Sequence, residues 1–217
     1  MSNADERAYV RPLDIEARSF QIIGEELGSH SFDPQTELVV KRVIHATADF
    51  DFAHTLRFSE HAVQRGVRAL ASGAHVVCDT SMVAAGINKR VLRSFGGDVH
   101  TFIGDADVAE EARARGITRS AVSMERAARL DGPVVFAVGN APTALMRLCE
   151  LVEEGRMRTP ELVIGVPVGF VNVVESKELV ETASVEYIVS RGRKGGSTVA
   201  VAICNALLYL ASDDRRE

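Results

Sequence analysis

From His75 onward the chain repeats one pattern: a short apolar run, a few residues of turn chemistry, then a stretch of helical periodicity. The runs are Val76–Cys78, Val99–Ile103, Val134–Val138, Leu162–Val166 and Val185–Val189. The helical stretches are part of Val83–Ser94, then Val108–Arg115, Ser120–Leu130, Pro142–Glu153, Val173–Thr182 and Ser197–Ala211. A strand that is apolar at every position, not every second one, is covered on both faces. Strands alternating with helices build βαβ units, and their crossovers are right-handed because strands twist that way. The pattern predicts an α/β fold, with a parallel sheet of about five strands between two helical layers.

The opening third reads differently. Residues 1–11 are polar and expected to be loose. Pro12 opens a segment carrying Ile15, Phe20, Ile22, Ile23 and Leu27 at mixed helical spacing. Pro34 opens a second, with Leu38, Val39, Val43 and Ile44 on one face, and a third helix is expected over Ser59–Ala71. These are extra N-terminal helices that a βαβ core does not need. No internal repeat or linker-like charge run divides the chain, so residues 1–217 are expected to form one domain.

Composition removes several function classes. Twenty-five Lys and Arg stand against thirty Asp and Glu, a formal net charge of −5, which argues against a surface built for nucleic acid. There is no tryptophan and only 6% aromatic content, too little for a base-stacking platform. No apolar stretch reaches the ~20 residues that span a bilayer, so no membrane partner is expected. Cys78, Cys149 and Cys204 are far apart and lack zinc-ligand spacing. Their odd number, with no signal peptide, predicts a cytoplasmic protein. No His, Asp or Glu set has metal-ligand spacing either. Only four lysines occur, at 41, 89, 177 and 194, so most positive charge is arginine; coding bias accounts for this, as would a use for planar forks that suit carboxylates and phosphates, and composition does not choose between the two.

In an open α/β sheet, ligands bind beyond the carboxyl ends of the strands. Those ends are Asp79–Ser81, Gly104–Asp107, Gly139–Thr143, Gly165–Gly169 and Arg191–Ser197. The segment Arg191-Gly192-Arg193-Lys194-Gly195-Gly196-Ser197 supports two readings. It can hold an anion on backbone N–H groups, helped by Arg193 and Lys194. It can equally be a plain turn with Ser197 as helix N-cap. Asn140 suits an N-cap and Pro142 a first helical turn. Ser81, Ser123 and Ser197 sit outside any GxSxG elbow, against a serine hydrolase. Among the six histidines His45 has the best context, because Arg42 lies three residues earlier on the same helical face. That pairing permits an imidazole acid or base beside a fixed cation.

Six blocks in this order resemble the precorrin-8X methylmutase family, also called precorrin isomerase. They are Ile15–Phe20, Val43–Phe50, Asp79–Ile87, Val138–Leu145, Gly165–Val171 with Glu175-Ser176-Lys177, and Gly192–Ser197, so the likeness spans about Pro12 to Leu210. The resemblance implies a flavodoxin-like three-layer fold and a homodimer. It implies a tetrapyrrole substrate whose methyl group moves from C-11 to C-12, giving hydrogenobyrinate, or cobyrinate on the cobalt-containing route. It implies no nucleotide or methyl-donor cofactor, because the migrating methyl is already on the substrate. His45 matches the family's proton donor and acceptor, and Ser19, Arg42 and Arg119 match its substrate-binding positions. Two other readings are separable. A flavin or nucleotide enzyme using the Gly195-Gly196 loop would be indifferent to His45, and a non-catalytic corrin carrier would bind the ring without turning it over.

Overall fold

The computed structural model describes residues 12–212, so the loose stretch expected at 1–11 lies outside the described residues. The first half runs α1 Pro12–Leu27, α2 Pro34–Thr47, α3 Phe52–Thr55, β1 Leu56–Phe58, α4 Ala62–Ala71, β2 His75–Cys78, α5 Ser81–Gly86, α6 Lys89–Ser94 and β3 Val99–His100. Then follow α7 Ala106–Arg115, α8 Arg119–Ala127, β4 Val134–Val138, α9 Pro142–Glu153, β5 Leu162–Gly165, α10 Val173–Thr182, β6 Tyr187–Ser190 and α11 Ser197–Ala211. The strands form one sheet in the order β1-β6-β5-β4-β2-β3. Strands β2 to β6 pair in parallel, as the apolar runs require, and β1 pairs antiparallel with β6.

Each central strand sends alternate side chains to opposite faces. Val76, Cys78, Val135, Ala137, Leu162, Ile164 and Ile188 join one core with residues of α2, α4 and α11. Val77, Phe136, Val138, Val163 and Val189 join another with residues of α8, α9 and α10. Helix α11 is apolar almost all round because it lies between the sheet and α2, α4 and α5. Helix α2 starts where Asp33 accepts the N–H groups of Gln35 and Thr36, with Pro34 in its first turn, and stops at Ala48 in the left-handed region. Among the described residues no helix is long and apolar enough to cross a membrane.

Five expectations change. The opening third is not wholly helical, because Leu56–Phe58 is an edge strand. Three residues are too few to show alternation, and tertiary pairing defines this strand: Leu56 stands opposite Ser190, and the Ser59 N–H donates to Tyr187 O at 3.0 Å. Such a short edge also limits pairing with other chains. The third N-terminal helix consequently begins at Ala62, not Ser59. The helical pattern in Val83–Ser94 is two helices, because Asn88 caps α6 through Val91 N and anchors its own N–H on Asn205 Oδ1 at 2.8 Å. The run at Val99–Ile103 pairs only over Val99–His100, and the last strand lies at Tyr187–Ser190.

Gly139, just beyond β4, lets α11 approach the sheet. A Cβ there would lie 2.7 Å from Ser197 Cα and 3.0 Å from its N, contacts with backbone that no rotamer relieves. Gly139→Ala should therefore lower unfolding free energy by about 1–3 kcal/mol, measured by urea denaturation. An unchanged midpoint would show that this approach is not tight.

Candidate functional site

The strand order reverses beside β2, with β3 on one side and β4, β5 and β6 on the other. The loops after β2 and β4 flank this switch point, the position at which open α/β sheets bind their ligands. Asp79 stands at this point, fully buried. One carboxylate oxygen accepts the Gly139 N–H at 3.0 Å, and the other accepts those of Asn140 and Ala141 at 2.8 and 2.7 Å. Burial pushes the Asp79 pKa up while these three donors pull it back. The loop after β4 is thus tied to the end of β2. Asn140 does not serve as the expected side-chain cap: the cap position is Ala141, while Pro142 opens α9 as its chemistry predicts.

The glycine-rich segment before α11 is organised from beneath. Lys177 on α10 is 1% exposed, and its Nζ donates to Gly192 O at 2.8 Å and Lys194 O at 2.9 Å. The Ser190 hydroxyl also donates to Lys194 O, at 2.9 Å, and the Gly169 N–H donates to Arg193 O at 3.2 Å. Three successive carbonyls of the loop are therefore held by the protein. Burial alone pushes the Lys177 pKa down to about 8. Gly195 packs beneath the β5 loop, where a Cβ would lie 2.2 Å from Val166 O. Ser197 is not the N-cap of α11. Gly196 occupies that position without a side-chain bond, and Ser197 Oγ lies 3.5 Å from Thr80 Oγ1.

The rim of this edge is apolar and exposed. Met82 after β2, and Val168, Phe170 and Val171 after β5, all face solvent, Phe170 at 82%. The Arg193 guanidinium lies 5.3 Å from the centre of the Phe170 ring. Arg119, exposed in the first turn of α8, donates to Ile103 O at 3.4 Å. Its neighbour Thr118 donates to Thr143 Oγ1 at 2.9 Å, which sets the start of α8 beside the start of α9. Arg119 thus belongs to the carboxyl edge but to the layer of α8 and α9.

His45 and Arg42 lie in the opposite layer, on α2. Both touch Phe20 of α1: the rings of His45 and Phe20 are 5.5 Å apart, and the Arg42 guanidinium is 4.8 Å from the Phe20 centre. The shared face expected from their spacing is present. His45 is exposed and has no hydrogen bond or ion pair among the described residues. Arg42 is not free: Glu16 pairs with Nη1, and Tyr209 of α11 stacks on it at 4.8 Å. Its Nε is buried without a partner. A substrate carboxylate would have to compete with Glu16. Ser19 precedes Phe20 and donates to Ile15 O within its own helix at 2.8 Å. Beyond α2, Asp49 and Asp51 both accept from Lys194 Nζ at 2.7 Å, so the end of the His45 helix lies against the glycine-rich loop. The structure brings His45, Arg42 and the Ser19-Phe20 turn together and places Arg119 across the sheet.

Asp79, Lys177 and Phe170 were not singled out as site residues from the sequence. The signals were slight: an acid directly after Val-Val-Cys, a rare lysine in an arginine-dominated chain, and an aromatic residue in a glycine-bounded turn.

Comparison with known proteins gives a consistent picture. A family profile described as precorrin-8X methylmutase matches residues 14–210. A cobalt-precorrin-8 methylmutase of Priestia megaterium is 46% identical, covering 93% of this chain and 89% of the relative. A precorrin-8X methylmutase of Pseudomonas aeruginosa is 41% identical, over 89% of this chain and 93% of the relative. The crystal structure of a Thermus thermophilus precorrin-8X methylmutase superposes with a TM-score of 0.83 at 43% identity, over 92% of this chain and 98% of that one.

The Asp79 tie makes a direct prediction. Asp79→Ala leaves three N–H groups without their acceptor, each costing about 1–3 kcal/mol when it stays dry. The variant should unfold at markedly lower urea concentration, and amide exchange should quicken first at Gly139–Ala141. Wild-type protection at those amides would remove Asp79 as the tie.

Proposed function

The chain belongs to the precorrin-8X methylmutase family, and we propose that its carboxyl-edge crevice holds the macrocycle with His45 as proton donor and acceptor. The protein is a methyl-shifting isomerase of cobalamin biosynthesis. The observation that carries the site assignment is His45 itself: an exposed imidazole with no hydrogen bond or ion pair among the described residues, on a helix whose end is fastened to the glycine-rich loop. The substrate is flat, largely apolar and fringed with carboxylates. Exposed Met82, Val168, Phe170 and Val171 offer an apolar surface, and arginines at the rim offer forks for carboxylates.

The chemistry follows from this arrangement. His45 delivers a proton to the conjugated ring and changes its electron distribution. The bond from the methyl to C-11 breaks as the bond to C-12 forms, and the proton returns to the imidazole. Atoms and electrons balance within the substrate. A positioned acid contributes ~10²–10⁴-fold, and holding the ring in its reactive conformation supplies the remainder. Ser19, Arg42 and Arg119 are substrate contacts in this reading, with Arg42 exchanging Glu16 for a substrate carboxylate. Relatives named for cobalt-precorrin-8 and for precorrin-8X are 46% and 41% identical to the chain, which supports either ring as substrate.

Other features support finer readings. The five parallel strands, counted in chain order, stand 2-1-3-4-5, which supports a flavodoxin-like fold. Two helical layers packed on one sheet support a single domain. Exposed Ile15 and Ile22 on α1, together with the apolar rim, support a homodimer with each site near the interface. Three free, buried cysteines support a cytoplasmic location.

His45→Ala should reduce turnover of precorrin-8X at least about 100-fold while leaving hydrogenobyrinate affinity and thermal stability largely intact. The assay follows product absorbance, with binding titrated in parallel. Near-normal turnover in the folded variant would reject His45, and wild-type binding without turnover would make the protein a carrier. Light scattering at low concentration should give a dimer, and a fully active monomer would reject that assembly.

A further inference from the structure

Lys177 has no part in the chemistry derived above, yet it is among the largest fully buried side chains of the protein. Burying an ammonium without a counter-ion is costly, and no ion pair among the described residues includes Lys177. Its hydrogen bonds to Gly192 O and Lys194 O offset that cost in part, and both go to the same short loop. With Gly169 N–H holding Arg193 O, the carbonyls of Gly192, Arg193 and Lys194 are all engaged by protein donors. A peptide's N–H points opposite to its C=O. The N–H groups of Arg193, Lys194 and Gly195 are therefore turned away from those donors, and among the described residues none has a protein acceptor. The exposed side chain of Arg193 lies over the exposed ring of Phe170 at 5.3 Å. A guanidinium so placed keeps its N–H edges free for a carboxylate, while the ring offers an apolar face.

We propose that Lys177 is a positioning residue for the isomerisation: by holding the Gly192–Lys194 loop it aims Arg193, with Phe170 beneath it, at a peripheral carboxylate of the macrocycle. This assigns Arg193 as a further substrate contact, and it rests on the corrin-binding reading of the crevice. Lys177 acts through the loop, so its effect depends on the presence of the Arg193 side chain. A lysine that merely filled the core would act independently of Arg193.

The test is a double-mutant cycle on the full chain, with Lys177→Met, Arg193→Ala and the pair. Hydrogenobyrinate affinity, KM and kcat for precorrin-8X, and melting temperature are measured for each. Each single variant should raise Kd and KM about tenfold, the loss of one charge-assisted contact, with kcat nearly constant. The double variant should bind no worse than the weaker single one. Independent effects, about a hundredfold in the pair, would overturn the proposal, as would a Lys177→Met protein with wild-type affinity. If Lys177→Met does not fold, Ser190→Ala loosens the same Lys194 carbonyl more gently. It should weaken binding in wild type but not in the Arg193→Ala background, and equal weakening in both would overturn the proposal. A wild-type protein that neither binds nor converts the ring overturns the corrin reading and this inference together. Binding by wild type with independent variants overturns the inference alone.

Discussion

The crevice depends on one buried carboxylate. Parallel strands must diverge somewhere for a ligand to enter an α/β sheet, and divergence leaves backbone N–H groups without strand partners. Here the N–H groups of Gly139, Asn140 and Ala141 have no backbone acceptor among the described residues. Asp79 takes all three on its two oxygens, so the loop after β4 is fixed to the end of β2. That fixes the start of α9, and through Gly139 it sets how closely α11 can approach. A site for a rigid ring requires this kind of preorganisation, because a loop that orders only on binding charges that entropy against affinity.

A second buried charge performs the complementary task one strand pair away. Asp79 gathers N–H groups, whereas Lys177 gathers carbonyls. The loop that Lys177 holds also packs against the loop after β5, where Gly195 passes beneath Val166 and Pro167, a contact that only a residue without Cβ allows. From the outer layer, Lys194 reaches Asp49 and Asp51 and couples this assembly to the end of α2. Exposed ion pairs are individually weak, but two carboxylates on one ammonium define a direction. The His45 helix is thereby set relative to the sheet edge. Arg42 works from the other side, where Glu16, Phe20 and Tyr209 join α1, α2 and α11 around a single guanidinium.

What the sequence revealed follows the range of the forces involved. The five parallel strands were legible because burial on both faces writes itself as continuous apolar runs, and α2 was legible from Pro34 and its apolar face. The edge strand Leu56–Phe58 was not, because its only cause is a partner 130 residues away in sequence on a scale no local pattern records. The pairing of Arg42 with His45 could be read from helical spacing. The capture of Arg42 by Glu16 could not, since it depends on how α1 crosses α2. The caps at Asn140 and Ser197 also turned on tertiary contacts: the Asn140 N–H is taken by Asp79, and the Ser197 hydroxyl lies beside that of Thr80. The family resemblance implied His45, Ser19, Arg42 and Arg119 together, whereas the fold sets Arg119 in the helical layer across the sheet from the other three.

That division bears directly on where the ring sits, since one ligand is asked to meet residues of both layers. A crystal structure of the protein with hydrogenobyrinate bound is the most direct measurement. The account requires the macrocycle to lie along the carboxyl edge against Phe170 and Val171, with a ring atom within hydrogen-bond reach of His45 and side-chain carboxylates on the rim arginines. A ring bound at the opposite edge of the sheet, away from His45 and the glycine-rich loop, would contradict it.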